Sequence, residues 1–150
     1  MTFSVDVAAT AGLAGAHRPG LQALTSTDRN HVSKRQSTNF SGSVNLDAAL
    51  APLYPNANRW DYVIAQRRSA NHRDLLHWVE IHPASGDSNV HEVAKKGTWL
   101  LGWLKGTPLA GYERRLIWIA SGRSAFNARD PRLKALSGRG IEFAGRYLEI

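Results

Sequence analysis

This sequence predicts an α/β (α+β) domain, a mixed central sheet flanked by helices. Three observations predict it. Two apolar runs, Trp60–Ala65 and His77–His82, have strand composition and are joined by a polar, basic segment at 67–74. Residues 90–105 place apolar side chains at helical spacing. Leu116–Ala120 is a short, unbroken apolar run of the kind that forms a buried strand. Strands interleaved with helices give a sheet with helices packed on it.

Along the chain, residues 1–39 read as a flexible or irregular basic N-terminal arm, and 40–150 as a single α/β domain. The arm is rich in Ala, Gly, Ser and Thr, and Arg18-Pro19-Gly20 reads as a turn. A short helix is expected near Leu21–Leu24. Arg29, His31, Lys34 and Arg35 cluster without apolar periodicity. Ser43–Leu46 is a short strand candidate. Asp47 is expected to cap a helix over Ala48–Leu53, because its carboxylate accepts from first-turn amides. Tyr54–Asn58 contains Pro55 and reads as a loop.

Strands are then expected over 59–66 and 75–82, forming an antiparallel hairpin with an exposed tip. Val90–Lys105 is the clearest helix, with Val90, Val93, Ala94, Gly97, Leu101 and Leu104 on one stripe. Asp87, Ser88 and Asn89 are its capping candidates, and Lys105-Gly106 its stop. Lys96 falls on the flank of that stripe, while Lys95 points further out. A strand over 114–121 follows. Asp130-Pro131 then opens a helix to Leu136, which Gly138 and Gly140 end. Ile141–Ala144 and Arg146–Ile150 read as a terminal strand or hairpin.

Composition narrows the function. With no cysteine, disulfides, thiolate metal sites and a cysteine nucleophile are excluded. No apolar run approaches the length of a membrane span, and residues 1–16 lack the basic start and apolar block of a signal peptide. A cytoplasmic protein with no membrane partner is expected. The formal net charge is +7, and residues 107–150 alone carry eight basic and four acidic side chains. That excess favours nucleic acid as a partner, with an acidic protein as the other class.

The chemistry-bearing residues lie between Trp60 and Lys96. Asp61 and Glu80 stand in strand-like apolar runs, where a carboxylate is costly unless a cation compensates it. Glu80 and His82 share a strand face. If the neighbouring strand brings Asp61 to Glu80, two carboxylates form a hard oxygen site suited to Mg²⁺ or Mn²⁺. Such an ion activates water and offsets charge on phosphate. Structural roles compete at each position. Asp61 would bond loop amides, Glu80 would pair with Arg114 or Arg115, His82 would be a hydrogen-bonded edge residue, and Lys96 would be solvated. A rival set, Glu80, His82 and His91, would suit a transition metal, but no metalloprotease-type spacing supports it. No phosphate loop, dinucleotide fingerprint or nucleophile elbow is present. Arg67, Arg68 and Arg73 at the hairpin tip, with Lys95, are candidates for phosphate contacts. The five tryptophans fit the core better than base stacking.

The pattern Asp61 … Glu80-Ile81-His82, followed by a helix bearing Lys95 and Lys96, resembles the core of the PD-(D/E)XK nuclease superfamily, the restriction-endonuclease-like fold. The resemblance spans about residues 43–121. It implies a metal-dependent nuclease in which Asp61 and Glu80 bind Mg²⁺ or Mn²⁺ and Lys96 or His82 serves the attacking water. Three departures stand out. Trp60 replaces the proline before the first acid, His82 occupies the lysine position, and only two strands lie between the short helix and the long one, where the family usually has three. An inactive relative that binds nucleic acid or a protein is the alternative that those departures imply.

Overall fold

The computed structural model describes residues 2–150. Its centre is a five-stranded mixed sheet in the order β2-β3-β4-β5-β6. The strands are β2 (Phe40–Asn45), β3 (Tyr62–Gln66), β4 (Leu75–His82), β5 (Arg114–Ala120) and β6 (Ile141–Phe143). β2, β3 and β4 form an antiparallel meander, whereas β5 and β6 add in parallel. Parallel neighbours need long crossovers. Helix α4 (Asp87–Leu104) supplies the first and α5 (Pro131–Gly138) the second. A two-stranded parallel sheet pairs β1 (Val32–Ser33) with β7 (Leu148–Glu149).

Strand alternation divides the core into two layers. Val63, Trp78, Leu116 and Trp118 face the side covered by α4, where Val93, Leu100 and Leu104 pack against them. Tyr62, Ile64, Val79, Ile117 and Ile119 face the other side, under Leu24, Val32, Leu148 and Ile150. Both faces of the central strands are therefore buried, and their sequences read as continuous apolar runs. Mid-helix Gly97 permits the close approach of α4, because a Cβ there would lie 2.7 Å from Ile141 Cδ1. Among the described residues, no helix is long and apolar enough to cross a membrane.

The coarse α/β class holds, with corrections in detail. Residues 2–39 pack on the sheet, where a loose arm was expected. Helix α1 (Phe3–Ala8) buries Phe3, Asp6 and Val7, and Leu13 and Leu24 are core residues. Residues 21–24 form turns, and the helix in this segment is α2 (Ser26–Arg29). β2 begins earlier than expected, with a register shift between Phe40 and Gly42. Gly42 has φ 147°, and a Cβ there would run into the His17 ring and the Arg18 carbonyl, at the bridge joining Arg18 to Ser43.

Helix α3 (Leu46–Leu50) is capped by Asn45, whose side chain accepts from Ala48 N–H, and not by Asp47. Asp47 is instead paired with Arg59 at 3.0 Å. Asp87, Ser88 and Asn89 lie inside α4, whose N-cap is Gly86. Asp130 does cap α5, accepting from Arg132 N–H at 2.9 Å. The terminal strands form no hairpin, since β6 joins the main sheet and β7 pairs with β1.

Candidate active site

Asp61 lies immediately before β3, and Glu80 lies on β4. The antiparallel register sets Tyr62 opposite Val79 and Val63 opposite Trp78. One further step sets Asp61 opposite Glu80, and directly opposed residues project from the same face. That face is the one covered by α4. Each acid is locked to the backbone of the opposing strand segment. Asp61 N–H donates to Glu80 Oε1 at 3.1 Å, and Ile81 N–H donates to Asp61 Oδ2 at 2.9 Å. The Asp61 carbonyl accepts from Leu46 N–H and Asp47 N–H, at 2.8 and 3.3 Å. The start of β3 is thus tied both to α3 and to β4.

Glu80 is fully buried, and its compensating cation is Lys96. Lys96 Nζ lies 2.5 Å from Glu80 Oε2, reaching in from the flank of α4. Burial alone works against the ammonium. Attraction to Glu80, the hydrogen bond between them and the charge on Asp61 outweigh it, so the Lys96 pKa rises above its ordinary value. His82 is held by two acids. Its Nε2 lies 2.6 Å from Glu92 Oε2 on α4, and its Nδ1 lies 3.5 Å from Glu80 Oε2. The interaction with Glu80 raises the His82 pKa against the effect of burial, and Glu92 adds to the rise.

Charge balance singles out Asp61. Lys96 offsets Glu80, and His82 is held between Glu80 and Glu92. Ionised Asp61 adds one negative charge that this set leaves uncompensated. Burial and then repulsion from Glu80 push the Asp61 pKa up to about 7, despite the Ile81 N–H bond that favours its anion. A carboxylate in this state is stabilised by a proton or by a bound cation. Asp61 Oδ1 accepts no hydrogen bond among the described residues. Two opposed carboxylates with a free oxygen and a surplus charge fit a hard divalent ion in donor type and in charge. Among the described residues, no group of three or more His, Cys, Asp or Glu side chains converges in metal-holding geometry.

The remaining candidates are distributed as follows. Neither Arg114 nor Arg115 reaches Glu80, since Arg115 pairs with Glu142 and Arg114 donates to the Ala110 carbonyl. His91 lines an outer cleft beside Lys95, and among the described residues the rival histidine set does not converge into a metal-holding group. Arg73 is seven residues along β4 and its approach from Glu80, roughly 20 Å at strand rise. It pairs with buried Asp6 at 3.1 Å and covers the Tyr112 ring. Arg68 pairs with Glu113 at 2.9 Å. Arg67 is exposed beside these two. The hairpin-tip arginines and the acid pair are therefore at opposite ends of the strands.

Three residues near the site were missed in the sequence reading: Glu92, Asp47 and Trp99. Glu92 carried a usable signal, because it precedes Lys96 by four residues and so lies on its helical stripe. Trp60, Trp78 and Trp118 are fully buried, whereas Trp99 and Trp103 are only partly so. Compared with known protein families, with characterised proteins and with solved structures, the chain matches none.

Proposed function

We propose that this protein hydrolyses phosphodiester bonds in nucleic acid with a divalent metal ion, on a restriction-endonuclease-like core. One observation carries the reading: Asp61 and Glu80 stand opposite each other on one sheet face, with Lys96 on the buried Glu80. The topology adds support. An antiparallel meander precedes the long helix and a parallel strand follows it, although only two strands of that meander lie between the short helix α3 and α4. Asp61 and Glu80 would hold Mg²⁺ or Mn²⁺. The ion would supply positive charge at the phosphate and a more acidic bound water.

The chain's own residues do the rest. The Asp61 and Glu80 side chains are fixed by backbone N–H groups, so they present preset oxygens instead of reorganising. Lys96 carries positive charge beside them and would orient the attacking water and offset charge developing on the phosphate oxygens. His82, whose proton affinity Glu80 and Glu92 raise, would hand a proton to the leaving oxygen. Water would attack phosphorus in line with the bond that breaks.

The test is cleavage of labelled single- and double-stranded DNA and RNA in Mg²⁺ or Mn²⁺. Asp61→Ala and Glu80→Ala are expected to abolish it, and cleavage retained in both would overturn the mechanism. A second reading, a non-cleaving nucleic-acid-binding module, is favoured by one feature. Lys96, Ile81 N–H and Asp61 N–H already satisfy three of the four acid oxygens. It predicts salt-sensitive binding without turnover.

A further inference from the structure

The outer face of α4 carries features that the acid site does not use. A cleft of about 420 Å³ runs along it, lined by Asn58, His91, Lys95, Trp99 and Arg139 among others. Lys95, His91 and Arg139 are exposed and make no ion pair among the described residues. The aromatic group is Trp99. One side of its ring stacks on Trp103, with centroids 5.9 Å apart and planes 11° apart. Tyr54 meets it edge-on at 5.8 Å, and Tyr54 is itself 38% exposed. Trp103 in turn packs edge-on against Trp78 in the core at 6.3 Å. Trp99 is therefore an indole braced from behind by a ladder of rings, with remaining surface lining a cationic cleft.

Its position ties the cleft to the acids. Trp99 lies three residues after Lys96, so the two are neighbours on the helix surface, roughly 5–6 Å apart at Cβ. Lys96 reaches Glu80 on one side of this stripe, and Lys95 enters the cleft on the other.

We infer that this face is a base-stacking subsite, with Trp99 receiving the ring of an unpaired nucleotide while Lys95 and Arg139 hold its phosphates. The inference rests on the nuclease reading and narrows its substrate to single-stranded or locally unpaired nucleic acid. A base inside a duplex already has both faces covered by its neighbours. A protein aromatic ring therefore stacks only on bases that are splayed out, and does so with little sequence preference. Cations around a ring favour the same ligand, because each nucleotide brings one phosphate with its base. An acidic protein would use the cations but has no comparable need for a braced, partly exposed indole.

The experiment uses the full chain in EDTA, so that binding is read without cleavage. Fluorescence anisotropy compares three probes of about 12 nucleotides: an oligothymidylate, an abasic strand of equal charge, and a duplex. The oligothymidylate should bind about tenfold more tightly than the abasic strand, and Trp99→Ala should remove that advantage while Trp99→Phe keeps most of it. Lys95→Ala and Arg139→Ala, both at exposed positions, should weaken all strands alike and flatten the salt dependence. Should Trp99→Ala fail to fold, quenching of tryptophan emission by oligothymidylate, present in the native chain and absent in Trp99→Phe, reads the same contact.

Equal binding of abasic and base-bearing strands, or an advantage untouched at Trp99, overturns the subsite. A base-dependent advantage without any cleavage in Mn²⁺ supports the subsite and rejects the nuclease reading. Cleavage lost in Glu80→Ala without a base-dependent advantage does the reverse.

Discussion

Among the described residues two carboxylates are deeply buried, and they solve the same problem differently. Asp6 is 2% exposed and sits against Tyr112 and Arg73, near the hairpin tip. Its Oδ2 accepts the Tyr112 hydroxyl at 2.5 Å and the Arg73 guanidinium at 3.1 Å. One acid meets one cation and one hydroxyl, and the charges cancel. Burial and then the bond to Asp6 push the Tyr112 pKa up to about 12, so the phenol stays neutral as a donor. Glu80 also has its cation, but a second acid stands opposite it. The Asp6 cluster is closed, and its evident role is to pin α1 to the β3–β4 hairpin. In the Glu80 cluster an ionised Asp61 is left uncompensated, and burial with the charge of Glu80 pushes its pKa up to about 7.

Removing each cation sharpens this contrast most. Lys96→Met leaves Glu80 beside Asp61 with His82, at 3.5 Å, as its nearest basic partner, and should cost about 3–5 kcal/mol in metal-free buffer. Arg73→Met leaves Asp6 with the Tyr112 hydroxyl, and Arg73 is half exposed, so a loss of about 1–2 kcal/mol is expected. Urea denaturation of the two variants in EDTA compares them directly, and equal losses would erase the distinction.

A gain of stability comes next. The Asp61 pKa is raised from 3.8 to about 7 by burial first and by Glu80 second. The folded state therefore holds the Asp61 proton more tightly than the unfolded chain does. Its contribution to stability is complete below about pH 4 and is lost as pH rises through 7. Asp61→Asn keeps an acceptor for Ile81 N–H and removes the charge. At pH 8 without metal it should stabilise the fold by about 1–2 kcal/mol, and the gain should vanish near pH 4. A variant less stable than the native chain at pH 8 would show that the Asp61 charge is already compensated.

The smallest effect is expected at Arg68. Its ion pair joins a partly exposed guanidinium to a Glu113 side chain that is 67% exposed. Arg68→Ala should change stability by less than about 1 kcal/mol, as read from the melting temperature. A larger loss would mean that the hairpin tip depends on more than the Asp6 cluster.

How much of this was legible beforehand varies with the range of the forces involved. β4 and α4 were readable because both are long and periodic. Their partnership with Asp61 and Glu80 followed from strand alternation and pairing. The preference for Lys96 over Lys95 followed from helical geometry. The packing of residues 2–39 was not readable, because Phe3, Val7, Leu13 and Leu24 are scattered among Ala, Gly and Thr. Their burial depends on a sheet built later in the chain. β1 and β7 are two residues each and pair across more than a hundred positions, which no local pattern encodes. β2 was legible only from Ser43 onward, because its serines and the bulge at Gly42 blur its start. Asn45 displaced Asp47 as cap because β2 runs directly into α3, while Arg59 draws the Asp47 carboxylate away. Trp99 was assigned to the core along with the other tryptophans, since composition does not tell a packed ring from one that is braced and partly exposed.

Sharing of one divalent cation by Asp61 and Glu80 is read by thermal melting at pH 7.5 with and without excess Mn²⁺, because an ion that binds only the folded chain raises the midpoint. The native chain should melt several degrees higher with Mn²⁺, and Glu80→Gln and Asp61→Asn should each lose that rise. An unchanged midpoint in the native chain, or a rise that survives in both variants, would contradict it.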